Sequence, residues 1–176
     1  MGTVPLNQLV KEKNLEVEWK AFELRPEGME PPKMPDGYYE QAKKNVQMMS
    51  EQYGLEMHWN DKSKHSRRAL EGAKFAEKKG LAHEYHEAVF KAQFQQNKNI
   101  NDVDTLVQIA SEVGLNEEDF RQALKSREYE QEVLADHEEA QQIGITAVPC
   151  FVSGNRGVMG AQPYEALVKL IEGNYE

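Results

Sequence analysis

A proline stands at the mouth of a short apolar run near the C-terminus. The run is Thr146–Ala147–Val148–Pro149–Cys150–Phe151, followed after one turn by Gly160–Ala161–Gln162–Pro163. Proline has no amide proton to give to a ladder, so Pro149 cannot sit inside a central strand and must instead begin the strand Cys150–Phe151–Val152. An X–Pro bond at such a corner can be cis. The run therefore predicts a fixed backbone corner against which a partner segment docks.

The rest of the chain sets what that corner is attached to. Thr3 to Asn14 reads as a helix with Pro5 in its first turn and Leu6, Leu9 and Val10 on one face. Leu15 to Phe22 then alternates apolar with polar, which predicts a strand with Leu15, Val17, Trp19 and Ala21 on one side. Phe22 and Leu24 break the alternation, and the prolines and glycines from Pro26 through Pro31–Pro32 to Gly37 predict an extended, turn-rich connector. From Tyr38 to Ile143 the period is helical, with stripes such as Tyr39, Ala42, Val46, Met49 and Tyr53, or Ala69, Ala73 and Ala76 closed by Gly80. Asn116 caps the acidic start Glu117–Glu118–Asp119, and Gly144 ends the last helix of the block. Strands return from Pro149 to Ser153 and, after a turn over Gly154 to Gly157, at Val158–Met159. Gln162–Pro163 then opens a closing helix.

At 176 residues with 39% hydrophobic content, the chain is long enough for one domain with an insertion and apolar enough for a core. Its net charge of −9, from 30 acidic and 21 basic residues, repels phosphate backbones and anionic membrane faces, so neither nucleic acid nor membrane is an expected partner. No apolar run approaches the roughly 20 residues of a membrane span, and the N-terminus lacks the basic-then-apolar pattern of a secretory signal. A single cysteine forbids an intrachain disulfide and suits a reducing compartment, so the expected location is cytoplasmic.

The order helix, strand, helical block, strand, strand, helix resembles a thioredoxin fold split by a helical insertion, and the Thr146 to Pro163 run resembles the cis-proline loop and C-terminal hairpin of the DsbA family. Val17–Glu18–Trp19–Lys20–Ala21–Phe22–Glu23–Leu24, Ser66–Arg67–Arg68–Ala69–Leu70 and Tyr85–His86–Glu87–Ala88–Val89–Phe90 extend the likeness over nearly the whole chain. The chain is similar to the FrnE-like branch of that family, related to 2-hydroxychromene-2-carboxylate isomerase and kappa-class glutathione transferase. The resemblance implies an α/β fold in which residues 1–35 and 135–176 form a thioredoxin-like domain and residues 36–134 a helical insertion. It further implies that Val148–Pro149 is cis, that the Val148 backbone is open to a partner, and that Thr146, Val148, Pro149, Cys150 and Gln162 line the binding site.

The family works through a Cys-x-x-Cys pair at the start of the first helix, preceded by the first strand, and neither is present in this chain. One thiol cannot both attack a disulfide and resolve the mixed disulfide. The resemblance thus implies a thiol–disulfide oxidoreductase family member that is inactive in dithiol exchange as it stands, with no catalytic residue to assign and no cofactor. Its implied partners are protein or small-molecule thiols and disulfides. The alternatives are a glutathione-binding isomerase or transferase, which would bring glutathione, and a non-catalytic peptide-binding module. The family's first strand would lie between residues 17–22 and Cys150–Ser153. Without it both strands face an empty slot, and a homo-oligomer that lends a strand is allowed.

Other residues invite sharper readings that simpler ones compete with. Cys150 could form mixed disulfides, but an unpaired cysteine is more often a small buried filler. His83 and His86 lie three apart beside Glu87, without the four-residue spacing of His-Glu-x-x-His, so no metal is expected; a solvated or core-rim pair is. His137 is expected to be a hydrogen-bonded core histidine. Met29, Met34, Met48, Met49 and Met57 read as gap-filling core. Arg67–Arg68 at a helix start goes against the local preference for anions, which flags either a substrate carboxylate or an ion pair.

Overall fold

The structure, a computed structural model, describes residues 1–30 and 33–173; the turn expected at Pro31–Pro32 lies outside them. Helix α1 (Thr3–Lys13) is followed by extended chain. Six helices come next: α2 (Tyr38–Gln52), α3 (Arg67–Lys78), α4 (Ala82–Phe94), α5 (Val103–Glu112), α6 (Glu117–Ser126) and α7 (Glu130–Gln142). A hairpin of β1 (Cys150–Ser153) and β2 (Arg156–Met159) and a last helix, α8 (Tyr164–Glu172), complete the α/β chain.

The central helix is α3, which packs against α4, α5, α6 and α7. Its narrow alanine face, Ala69, Ala73 and Ala76, is what allows neighbours so close. At Gly72 a Cβ would collide with the Tyr85 hydroxyl and come within 2.7 Å of Phe120 Cζ, so only glycine fits under those rings. Phe75, Tyr85, Leu106, Ile109, Phe120 and Leu124 fill the core around it. The helix starts follow local chemistry. Asp102 Oδ2 accepts the Thr105 amide at 2.8 Å and Asn116 Oδ1 accepts the Asp119 amide at 2.9 Å, which satisfies donors that a helix start leaves bare.

The hairpin is antiparallel, pairing Cys150 with Met159, Phe151 with Val158, Val152 with Gly157 and Ser153 with Arg156. Its turn is two residues, Gly154–Asn155, shorter than the four expected, with Gly154 at φ +61 in the first turn position, where hairpins of this length favour glycine. Helix α8 packs on α1 and on both strands, burying Leu9, Leu167 and Leu170.

Two expectations need correction. Residues 15–22 are extended but are not a strand. A ladder needs a neighbour, and among the described residues no strand runs beside them. Side chains of α7 take the place of a ladder: Asp136 Oδ2 accepts the Ala21 amide at 2.8 Å and His137 Nδ1 accepts the Glu23 amide at 3.2 Å. The five methionines are not core: Met29 and Met48 are 61% and 64% exposed, and Met34, Met49 and Met57 are only half-buried. Among the described residues α2 packs on no other helix or strand, and its Tyr39 meets irregular chain at Trp59, edge-on at 6.3 Å.

Candidate functional site

The corner expected from the sequence is formed. The Val148–Pro149 peptide is cis, and both residues are exposed. Two contacts hold the corner on the hairpin. The Gly160 amide donates to the Pro149 carbonyl at 2.7 Å, and Gln162 Nε2 donates to the Met159 carbonyl at 2.6 Å. Gln162 therefore positions the end of β2. Thr146 is exposed, with its hydroxyl donating to Met159 Sδ across 3.9 Å. No described residue hydrogen-bonds the Val148 backbone, and the residue is exposed.

Helix α1 meets this corner at its first turn. A Cβ on Gly2 would lie 2.9 Å from Pro149 Cγ and 3.3 Å from Phe151 Cζ, which brings the N-terminal end of α1 directly against the proline ring. The structure thus places Val148, Pro149 and the start of α1 together, with Thr146 and Gln162 around them. Cys150 departs from the buried-filler reading by being only partly covered. Burial pushes its thiol up from the ordinary value, the reverse of the activation that a reactive thiolate requires.

The other flagged residues belong to the framework. Arg67 is buried and clamps Glu23: Nε lies 3.0 Å from each carboxylate oxygen and Nη2 lies 2.6 Å from Oε2. That is the ion-pair outcome, and no donor on that edge is left for a substrate. His137 is half-buried and hydrogen-bonded, its ring 4.8 Å from that of Phe22. His86 stacks on Trp19 at 4.4 Å while His83 is exposed, so the two do not converge. Burial, then the nearby His83 and Lys74, holds His86 down to about 4, neutral at neutral pH. Sequence reasoning missed Asp136, which is buried, accepts the Ala21 amide and lies 2.6 Å from Lys74 Nζ.

A cis-proline corner leads into a hairpin, flanked by one helix whose N-terminus abuts the proline and another that closes the chain, an arrangement consistent with a thioredoxin-type fold. The chain belongs to the family of DSBA-like thioredoxin domains, which it matches over residues 1–172. It is 36% identical over 180 residues to the protein YwbO of Bacillus subtilis (strain 168), covering 97% of this chain and 88% of that one. Among solved structures, it is similar to a probable DsbA oxidoreductase from Streptomyces coelicolor, with a TM-score of 0.81 and 26% identity, covering 99% of this chain and 85% of that one. It also shares its fold with a 2-hydroxychromene-2-carboxylate isomerase, at a TM-score of 0.78 and 17% identity over 98% of this chain and 86% of the other. Among the described residues, no helix is long and apolar enough to cross a membrane.

Proposed function

We propose that the chain is a DsbA-type module that binds an extended peptide, or a small thiol or disulfide, at the Val148–Pro149 corner, and that it does not turn over dithiols by itself. The observation that carries the reading is the unpaired Val148 backbone beside the start of α1. An extended ligand can add its main chain to Val148 while its reactive group faces the helix N-terminus, where the peptide dipoles favour a developing negative charge. The absence of turnover follows from composition, because one cysteine cannot supply both the attacking and the resolving sulfur.

Insulin reduction by dithiothreitol tests the second half: turbidity should develop no faster with the protein than without it. A faster rate that survives Cys150→Ser would sink the thiol argument. A chain extended by a strand and a Cys-x-x-Cys motif ahead of α1 should gain activity. Amide NMR tests the first half, because an extended cysteine-containing peptide should shift Val148 and Thr146. If reduced glutathione shifts them and the peptide does not, the glutathione-binding isomerase reading replaces this one.

A further inference from the structure

Between the connector and the helical block lies a cluster of charges that the corner does not use. Arg127, at the α6–α7 junction, brings its Nη2 within 3.1 Å of Glu27 Oε2, 2.9 Å of Glu130 Oε1 and 2.8 Å of Glu71 Oε1. A guanidinium Nη carries two N–H donors. Three carboxyl groups thus face the two protons of Nη2, whose hydrogen bonds go to Glu27 and Glu130, while the Arg127 Nε–H is buried and aimed at none of them. Glu71 is 0% exposed, and although Nη2 lies 2.8 Å from its Oε1, neither N–H of that nitrogen is aimed at it, so neither carboxyl oxygen has a well-aligned hydrogen bond. A buried carboxylate left so would be costly, whereas a carboxyl that keeps its own proton carries no charge to compensate.

The surroundings agree with the donor count. Four carboxyls, Glu23, Glu27, Glu71 and Glu130, share two guanidiniums, Arg67 and Arg127. Arg67, on the same helix as Glu71, is committed to Glu23 and also reaches Glu130 at 3.2 Å. The charged groups acting on Glu71 come from the connector (Glu27), from α7 (Glu130) and from the turn before it (Arg127). Among the described residues the other helices packed on α3 add none, and α4 offers the uncharged, unpartnered Tyr85 hydroxyl at the adjoining Gly72. Burial, with Glu130 and Glu27 adding to it and Arg127 opposing, pushes Glu71 up to about 7.

We propose that Glu71 is a proton-operated latch on the connector. While its proton is on, Arg127 holds Glu27 and with it the segment that leads to α2; when the proton leaves, Glu71 takes a donor from Arg127 and Glu27 is released. Glu27 is the one to go because Glu130 keeps Arg67 as a second partner, and Arg127 is the only ion-pair partner Glu27 has among the described residues. The sign is fixed: Glu71 binds its proton more tightly folded than unfolded. Its contribution to stability is therefore greatest at low pH, declines as pH rises from the ordinary carboxyl value to about 7, and is level above that.

Side-chain carboxyl 13C NMR of the whole chain, titrated from pH 4 to 9, tests the latch. Glu71 should titrate near 7, and the Glu27 and Gly28 amide shifts should follow the same midpoint. In Glu71→Gln those amides should stop responding between pH 6 and 8. In Glu27→Gln, which replaces a charged competitor for Arg127 by a weaker, neutral acceptor and removes a like charge, the Glu71 midpoint should fall towards the ordinary carboxyl range. A Glu71 midpoint below 5 in the parent overturns the proposal. So do connector amides that respond in Glu71→Gln as they do in the parent, or a midpoint that Glu27→Gln leaves in place.

Discussion

Arg67→Ala should destabilise the fold by about 3–5 kcal/mol, the cost of breaking a buried ion pair and leaving one charge behind. Glu23 is 2% exposed, and both its oxygens are taken by the Arg67 guanidinium. Without that guanidinium its carboxylate has neither water nor a donor. Arg67→Lys should fall in between, because a point charge cannot serve both oxygens from one planar edge. The paired change Arg67→Met with Glu23→Leu should recover most of the loss, since replacing both members of a buried pair by apolar side chains is often neutral. Urea denaturation of the four chains measures this. A loss under about 1 kcal/mol for Arg67→Ala would show that water reaches Glu23.

That pair also marks where the sequence is legible and where it is not. The helices were readable because their causes are local: a cap at Asn116, a left-handed stop at Gly144, an apolar stripe at Ala69, Ala73 and Ala76. The corner was readable because Pro149 excludes most other conformations at the start of a strand. Arg67 was noticeable as a cation at a helix start, but its partner lies 44 residues away and nothing near Glu23 announces it. Residues 15–22 were misread for a related reason. Their alternation reports a one-sided extended chain, while strandhood depends on a neighbour. The groups that satisfy the Ala21 and Glu23 amides lie on α7, 115 and 114 residues on. The break in alternation at Phe22 and Leu24 was the surviving local trace: Phe22 turns to His137, Glu23 goes inward, and Leu24 is left 65% exposed. The cis Val148–Pro149 bond was anticipated from the resemblance; Asp136 and the Glu71 cluster had no counterpart in any motif.

The same central helix supports a second large effect, in which two substitutions should partly cancel. Phe120 is fully buried, edge-on to Phe75 at 5.3 Å and tilted on Tyr85 at 5.7 Å, so Phe120→Ala should cost about 3–5 kcal/mol through lost burial and the cavity left behind. Gly72→Ala alone should also be destabilising, by about 1–3 kcal/mol, because its methyl would enter space held by Phe120 and the Tyr85 hydroxyl. In the Phe120→Ala background that space is open, and the Tyr85 ring can move into it and away from residue 72. The methyl then fills part of a void where before it met a wall. The double variant should therefore be no less stable than Phe120→Ala, giving a coupling of about 1–3 kcal/mol between two sites whose separate costs would otherwise add. Tyr85→Phe sharpens the test: its hydroxyl is buried without a partner, so removing it should be neutral or stabilising and should relieve Gly72→Ala by a separate route. Strict additivity in both backgrounds would mean that α3 shifts away from its neighbours when residue 72 grows, and that the close approach of these helices is not what requires glycine there.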